Sequence, residues 1–258
     1  MFQRREKDGV VYFVFPELER LGVPHVVGTR VGGVSPEPFH SLNVSVAVGD
    51  TEENVQENRR RLSRVLGVEP EMLVGASLVH GTTIAQVTSA DRGRWIPQTD
   101  ALLTREARVP LFMTFADCVP VVIYDPKQRA LALAHAGWRG TAAGLTMRVI
   151  AAMERVYRSR PRDLVVALGP AIGQCHYEVG TDVMEAFDVF GRGPVVFEKK
   201  GGRYYLDLVG TNVKQAEMMH VNEVLVSGYC TACHPDLFYS HRGEKGKTGR
   251  FGVIAMLS

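Results

Sequence analysis

A cysteine and a histidine on the two arms of one predicted hairpin are the first residues in this 258-residue sequence whose types and spacing could do chemistry. In VPLFMTFADCVPVVIYDPKQRALALAHAGWRG, two apolar runs flank Asp125-Pro126-Lys127-Gln128. Proline suits the second position of a β-turn, and aspartate at the first can accept from backbone amides. A turn centred between Pro126 and Lys127 makes Cys118 the antiparallel partner of His135. Opposite residues on one face have Cβ atoms about 4.5–5.5 Å apart, close enough for a thiolate and an imidazole to share a metal ion or a proton. A slip of one residue would spoil this. Pro120 cannot donate to a ladder, so the strand is expected to be interrupted or at an edge there. His135 leads into Gly137-Trp138-Arg139-Gly140, a strand-to-helix turn of the kind that exposes side chains and backbone amides.

A metal ion would need a third ligand, and His80 is the best placed. In GASLVHGTT it ends a period-two apolar stretch and directly precedes Gly81. Two histidines and one cysteine, with a fourth position left to water, form a catalytic zinc pattern that lowers the pKa of bound water toward about 7.

The elements that must position these residues follow from hydrophobic patterning. Strands are expected at 10–15, 25–29, 109–115, 120–125, 130–136, 163–169 and 224–229, with a final one in FGVIAML. Helices are expected over 51–66, where Thr51 and Asn54 offer N-caps, and over 141–157, 180–190 and 208–220. Some strands are joined by short turns and others by helices, so the sequence predicts an α/β (α+β) fold: a single domain over 1–258 with a mixed β-sheet and flanking helices.

Other motifs are weaker. Cys230-Thr231-Ala232-Cys233-His234 matches the haem-attachment pattern, but that chemistry belongs to exported proteins and no export signal is read at the N-terminus. A zinc knuckle there needs a second ligand pair, for which Cys175-His176 is the one adjacent candidate, and the reading is set aside, as is a redox pair lacking a thioredoxin-like context. Gly246-Lys247-Thr248 imitates a P-loop without its first glycine and ahead of a strand. The basic residues Arg242, Lys245, Lys247 and Arg250 read as a solvated loop that could also receive a substrate anion. Arg30 lies in a glycine-rich turn with the same option. His25, His40, His176 and His220 are left unassigned.

Composition narrows the function classes. At 45% hydrophobic and 22% charged, with a formal charge of +2, the chain reads as globular and lacks the basic excess of a nonspecific nucleic-acid binder. Four cysteines are too few for a disulfide scaffold, and no apolar run approaches a membrane span, so a soluble, cytoplasmic protein with reduced thiols is expected.

The segments TRVGGVS, SLNVSVAVGD, ENRRRL, LVHGT, TDALLT, ADCVPVVIYDP, AHAGWRGTAAG, LGPAIGQCHYEVG and FYSHRGEKGKTGR, taken in this order, resemble the YfiH/YlmD-type proteins. That family is also named laccase-domain, multicopper polyphenol oxidase or purine nucleoside phosphorylase, and the resemblance runs from about Thr29 to the C-terminus. It implies zinc ligands at His80, Cys118 and His135, a small-molecule substrate, and phosphorolysis of adenosine, inosine, guanosine or methylthioadenosine alongside adenosine deamination. Purine nucleoside and phosphate are then the expected partners, with no nucleic acid and no membrane; oligomeric state is left open. Where the family usually has Gln-Val-His-Gly, this chain has Leu78-Val79-His80-Gly81, which bears on substrate preference. On this reading Asp117 is the candidate proton carrier, with Asp100 in reserve, and Arg139, Arg242 and Arg30 bind the substrate's anion. Rival readings are a Cys118–His135 hydrolase or amidase acting on cell-wall precursors, a copper-dependent phenol oxidase on the same donors, and a structural zinc protein.

Overall fold

The computed structural model describes residues 2–190, 196–199 and 201–258. The first of two large sheets runs, edge to edge, β1 (Gln3–Lys7), β2 (Val10–Val14), β3 (His25–Gly28), β16 (Phe251–Ala255), β8 (Leu111–Phe115), β4 (Val74–Ala76) and β6 (Trp95–Ile96). The second runs β15 (Glu223–Val226), β11 (Val165–Leu168), β9 (Val119–Asp125), β10 (Ala130–Ala136), β7 (Ala101–Thr104) and β5 (Ile84–Gln86). A small third sheet orders β12 (Glu178–Val179), β14 (Arg203–Leu206) and β13 (Val196–Lys199). Both large sheets are mixed, as β4 pairs in parallel with β6 and β8, and β11 with β15. The sequence led us to expect one mixed sheet; there are two, and the short strands β4 to β7, too brief to show a period, complete them.

Helices flank the sheets: α1 (Pro16–Arg20), whose Leu18 joins the layer between them, α2 (Glu52–Arg64), α3 (Trp138–Ala142), α4 (Leu145–Tyr157), α5 (Thr181–Ala186) and α6 (Leu208–Met218). Thr51 caps α2, its hydroxyl accepting from Asn54 N at 3.3 Å. The predicted helix over 141–157 begins earlier and breaks at Gly144, whose φ of 76° separates α3 from α4. No helix among the described residues is long and apolar enough to cross a membrane.

The period-two rule explains the layering. Val119, Val121 and Ile123 pack with Val149, Met153 and Leu208 on the helical side, whereas Val122, Tyr124, Leu131 and Leu133 meet Met113, Phe115 and Val253 between the two sheets. On the far side of the first sheet, Val26, Phe112 and Ile254 cluster with Leu62 of α2. The result is helix, sheet, sheet, helix. Because β9 and β10 are covered on both faces, all their residues are buried, which is why they read as continuous apolar runs.

The hairpin register differs from the expected one. His135 pairs with Pro120 and Ala130 with Asp125. The chain turns through four residues, Pro126 to Arg129, with Arg129 in the left-handed region at φ 49°, while Asp125 Oδ1 accepts from Lys127 N and Gln128 N. Moving the turn centre by one residue moves the register by two, and a two-residue slip returns every side chain to its original face. Cys118 therefore lies opposite Gly137 instead of His135, yet on the same side. Pro120 also departs from expectation, since it stands inside a central strand. Its carbonyl accepts from Gly169 N at 2.9 Å, just past the end of β11 at Leu168, so its missing N–H falls where the ladder has already ended.

Candidate metal centre

One end of the second sheet gathers the predicted residues. Cys118 immediately precedes β9, and His135 is the penultimate residue of the antiparallel β10. Asp100 precedes β7, whose first residue pairs with Ala134, and His80 lies four residues before β5, which runs parallel to β7. One ligand atom from each of His80, Cys118 and His135 lies within 4.8 Å of the others. The two imidazoles meet edge to face, ring centroids 4.9 Å apart at 83°. His135 is buried against Phe115 of the opposite sheet, Cys118 is half-buried and His80 is exposed, so the trio opens to solvent on the His80 side.

Glycines make the convergence possible. A Cβ on Gly137 would lie 3.1 Å from both Cys118 Sγ and His80 Cδ2, and one on Gly140 would come within 2.7 Å of the Gly81 carbonyl. Gly137, at φ −75°, tolerates alanine as backbone, so Gly137→Ala is expected to fold while loosening metal binding by about 10–100-fold, the scale seen when groups that hold ligands in place are perturbed. Metal titration of the variant measures this, and unchanged affinity would show that the neighbouring side chains yield without cost.

Asp100 builds the His80 loop. Fully buried, its carboxylate accepts from Val79 N at 3.3 Å, His80 N at 2.8 Å and Gly81 N at 2.8 Å, while His80 itself sits in the left-handed region at φ 58°. Asp100 Oδ1 also stands 3.6 Å from His135 Nδ1, which has no direct hydrogen bond, and His135 N donates to the Asp100 carbonyl at 2.8 Å. Burial would raise the Asp100 carboxyl, but His135 and the loop amides outweigh it and hold it below its ordinary value. Asp100 thus orients both histidines. A buried imidazole nitrogen beside a carboxylate, two imidazoles and a thiol together form a donor set that fits a Zn²⁺-type cation.

Burial alone would also raise the Cys118 thiol, yet His135 and then His80 pull it down to about 6, and the Cys118 thiolate and Asp100 in turn lift His135 to about 9 against its burial. Each group thus favours the charged form of the other, a thiolate beside an imidazolium, in metal-free protein. Iodoacetamide labelling of the Cys118 peptide, read by mass spectrometry from about pH 5 to about pH 9, is expected to rise with a midpoint near 6. A midpoint near the ordinary cysteine value of about 8.5 would show that the imidazoles do not charge-pair with it.

The remaining predicted residues fall in two places. Asp117, at φ 84°, turns the chain into β9 and is committed on both carboxylate oxygens: Oδ1 accepts from the Thr231 hydroxyl and Oδ2 from Arg242 N, each at 2.6 Å. That geometry is an anchor's. Arg242 also donates to the Glu178 carbonyl and lies over the Tyr177 ring, 5.1 Å from its centroid. Arg139, on the first turn of α3, stacks 4.3 Å from the centroid of Trp138. Arg30 is elsewhere, donating to the His40 and Pro235 carbonyls and pairing with Glu244 at 3.0 Å, beside a cavity of about 260 Å³ lined by Glu37, His40 and Asp236. A cavity of about 480 Å³ between Pro24, Val68, Met72 and Met256 likewise contains none of the trio.

Tyr177 carries no motif or spacing that marks it in the chain. Its phenol is raised first by burial and then by the negative charge of Cys118, with Arg242, Asp117 and Arg139 also acting on it, so it stays protonated at neutral pH. Arg250 was read as part of a solvated loop; it is drawn inward instead, with Arg250 N donating to Asn43 Oδ1 and its guanidinium to the Thr248 and Gly249 carbonyls, whereas Lys245 and Lys247 are exposed. Leu78, two residues before His80, packs against the layer between the sheets.

Comparison with known proteins agrees with this fold. Purine nucleoside phosphorylase YlmD of Geobacillus stearothermophilus is 39% identical over 249 residues, covering 90% of this chain and 91% of that protein. A purine nucleoside phosphorylase of Deinococcus radiodurans is 37% identical, covering 91% and 89%. The crystal structure of the Geobacillus YlmD superposes with a TM-score of 0.93 at 37% identity, covering 99% of this chain and 98% of that one. Hypothetical protein YfiH of Bacillus licheniformis gives a TM-score of 0.93 at 33% identity, covering 99% of each chain. Residues 24–258 match the family described as multi-copper polyphenol oxidoreductase laccase, and with that span and these YlmD and YfiH relatives the chain belongs to it.

Proposed function

We propose that this chain is a metal-dependent purine nucleoside enzyme that replaces the glycosidic bond of a nucleoside with a bond to phosphate, and that adenosine deamination uses the same site. The observation that carries the reading is the convergence of His80, Cys118 and His135 at a sheet end open on the His80 side, with Arg242 held to Asp117 next to Cys118. Relatives named purine nucleoside phosphorylase support the substrate class.

His80, Cys118 and His135 would hold the cation, and Zn²⁺ suits two imidazoles and a thiolate, with copper the alternative on the same donors. What the cation supplies when bound is Lewis acidity toward an oxygen nucleophile. Arg242, held in place through Asp117, Glu178 and Tyr177, and Arg139 on the neighbouring helix bring guanidinium donors suited to phosphate. In phosphorolysis a phosphate oxygen bonds to the sugar C1′ as the bond from C1′ to the purine nitrogen breaks; the bonding pair leaves with the base, which takes up one proton. Tyr177, whose ring lies under the Arg242 guanidinium, would hydrogen-bond the departing base through its neutral phenol. Asp117 acts by fixing Arg242 and the approach to Cys118.

The test is product analysis on zinc-loaded protein with adenosine, inosine and guanosine. Release of free base together with ribose 1-phosphate, dependent on added phosphate, is expected, as is inosine from adenosine. No base released from any of the three would end this reading. Elemental analysis of protein purified without added copper decides between the metals.

A further inference from the structure

From side chains outside that site we infer that Cys175, His176, Cys230 and Cys233 form a second, closed zinc site that clamps the loop after β11 to the loop after β15. The topology explains why two distant segments meet. β11 and β15 are parallel, with Leu168 opposite Val226, so both chains leave the sheet at the same end. Ala171 then bridges to Cys230, and each loop folds into a tight turn: His176 N donates to the Gly173 carbonyl at 3.0 Å and Cys233 N to the Cys230 carbonyl at 3.2 Å.

Distances around the four ligand atoms match a tetrahedron. A Zn–S bond of about 2.3 Å and a Zn–N bond of about 2.0 Å put S···S edges at roughly 3.8 Å and S···N edges at roughly 3.5 Å. Here Cys175 Sγ is 3.6 Å from Cys230 Sγ and 3.5 Å from Cys233 Sγ, and His176 Nδ1 is 3.2, 3.4 and 3.9 Å from the sulfurs of Cys175, Cys233 and Cys230. The sulfurs surround a point instead of pairing, since a disulfide would bring two of them to about 2.05 Å. Gly173 N also donates to Cys230 Sγ at 3.2 Å, the kind of amide-to-sulfur bond that supports a ligating thiolate, and a Cβ on Gly173 would crowd Cys175 Sγ at 3.3 Å and Cys230 Sγ at 3.4 Å.

Four protein ligands leave no open position, which separates this centre from the three-ligand trio and makes its role structural. Its two limbs converge on Asp117, next to Cys118. Thr231, inside the C-x-x-C turn, donates to Asp117 Oδ1, and Ile172 N donates to the Asp117 carbonyl at 2.9 Å. The clamp thereby holds the residue that feeds the chain into the candidate active site.

Zinc content and cobalt spectra test the site independently of the nucleoside reading. Chains carrying His80→Ala and Cys118→Ala are expected to retain one zinc ion, and chains carrying Cys175→Ala and Cys233→Ala to hold one fewer than the unmodified protein. Equal zinc in the latter and in the unmodified protein would overturn the proposal. Should the Cys175/Cys233 variant fail to fold, cobalt titration of the Cys118→Ala chain decides: thiolate-to-cobalt absorption must then come from Cys175, Cys230 and Cys233, and is expected. Its absence would overturn the site, as would anaerobically purified protein with a disulfide joining two of these thiols and no metal there.

Discussion

Removing the His80 imidazole is expected to lower kcat/KM for nucleoside phosphorolysis by at least about 100-fold while leaving the fold nearly untouched. Loss of groups that merely orient metal ligands costs 10–100-fold in metal affinity or activity, so loss of a ligand itself should cost no less. The side chain is exposed, which means its truncation opens no interior cavity, and exposed substitutions usually shift stability by within about 0.5 kcal/mol. For a chain of this size that is a melting shift of about 1–2 °C. His80→Ala changes the preference of a left-handed residue as well, so His80→Asn is the better control, asparagine being at ease at φ near 58°. Both variants should melt within about 2 °C of wild type in metal-free form and both should lose turnover. Wild-type kinetics in either would remove His80 from the site.

Asp100 should show the opposite balance, with a large stability effect joined to a metal effect. Asp100→Ala leaves three loop amides without their acceptor and His135 without its carboxylate. Val79 and His80 are exposed, so water can partly replace the lost acceptor and we expect a cost of about 2–4 kcal/mol, within the range for breaking hydrogen-bonded buried charge. That corresponds to a melting decrease of roughly 5–15 °C. Asp100→Asn keeps the shape and one acceptor oxygen; it should recover part of the stability yet still bind metal about 10–100-fold more weakly, because a neutral amide no longer favours the ligating state of His135. If Asp100→Asn binds metal as tightly as wild type, Asp100 serves the loop alone.

What could be read from the chain divides along a physical line. The strands at 120–125 and 130–136, the N-cap at Thr51 and the shared face of Cys118 and His135 were legible because they depend on residues a few positions apart, where a period of two or 3.6 is visible. The shared face survived even a wrong register, since the turn centre moved by a whole residue and the slip was even. Arg30 shows the limit: a glycine-rich turn beside an arginine suggested anion binding, but whether a guanidinium is free depends on a carbonyl and a carboxylate more than 200 positions away.

The sequence by itself determined the donor types, the hairpin and the place of His80 at the end of an apolar stretch ahead of a glycine. Only the tertiary structure decided that Asp100 ties both histidines together, that Arg242 is held to Asp117 and lies over Tyr177, and that Cys175 and His176 meet Cys230 and Cys233. The reason is that strand order and direction have no local signature. The parallel pairing of β11 with β15 and the antiparallel pairing of β9 with β10 set which loop ends share an edge, and that choice is made by burying both faces of the central strands at once.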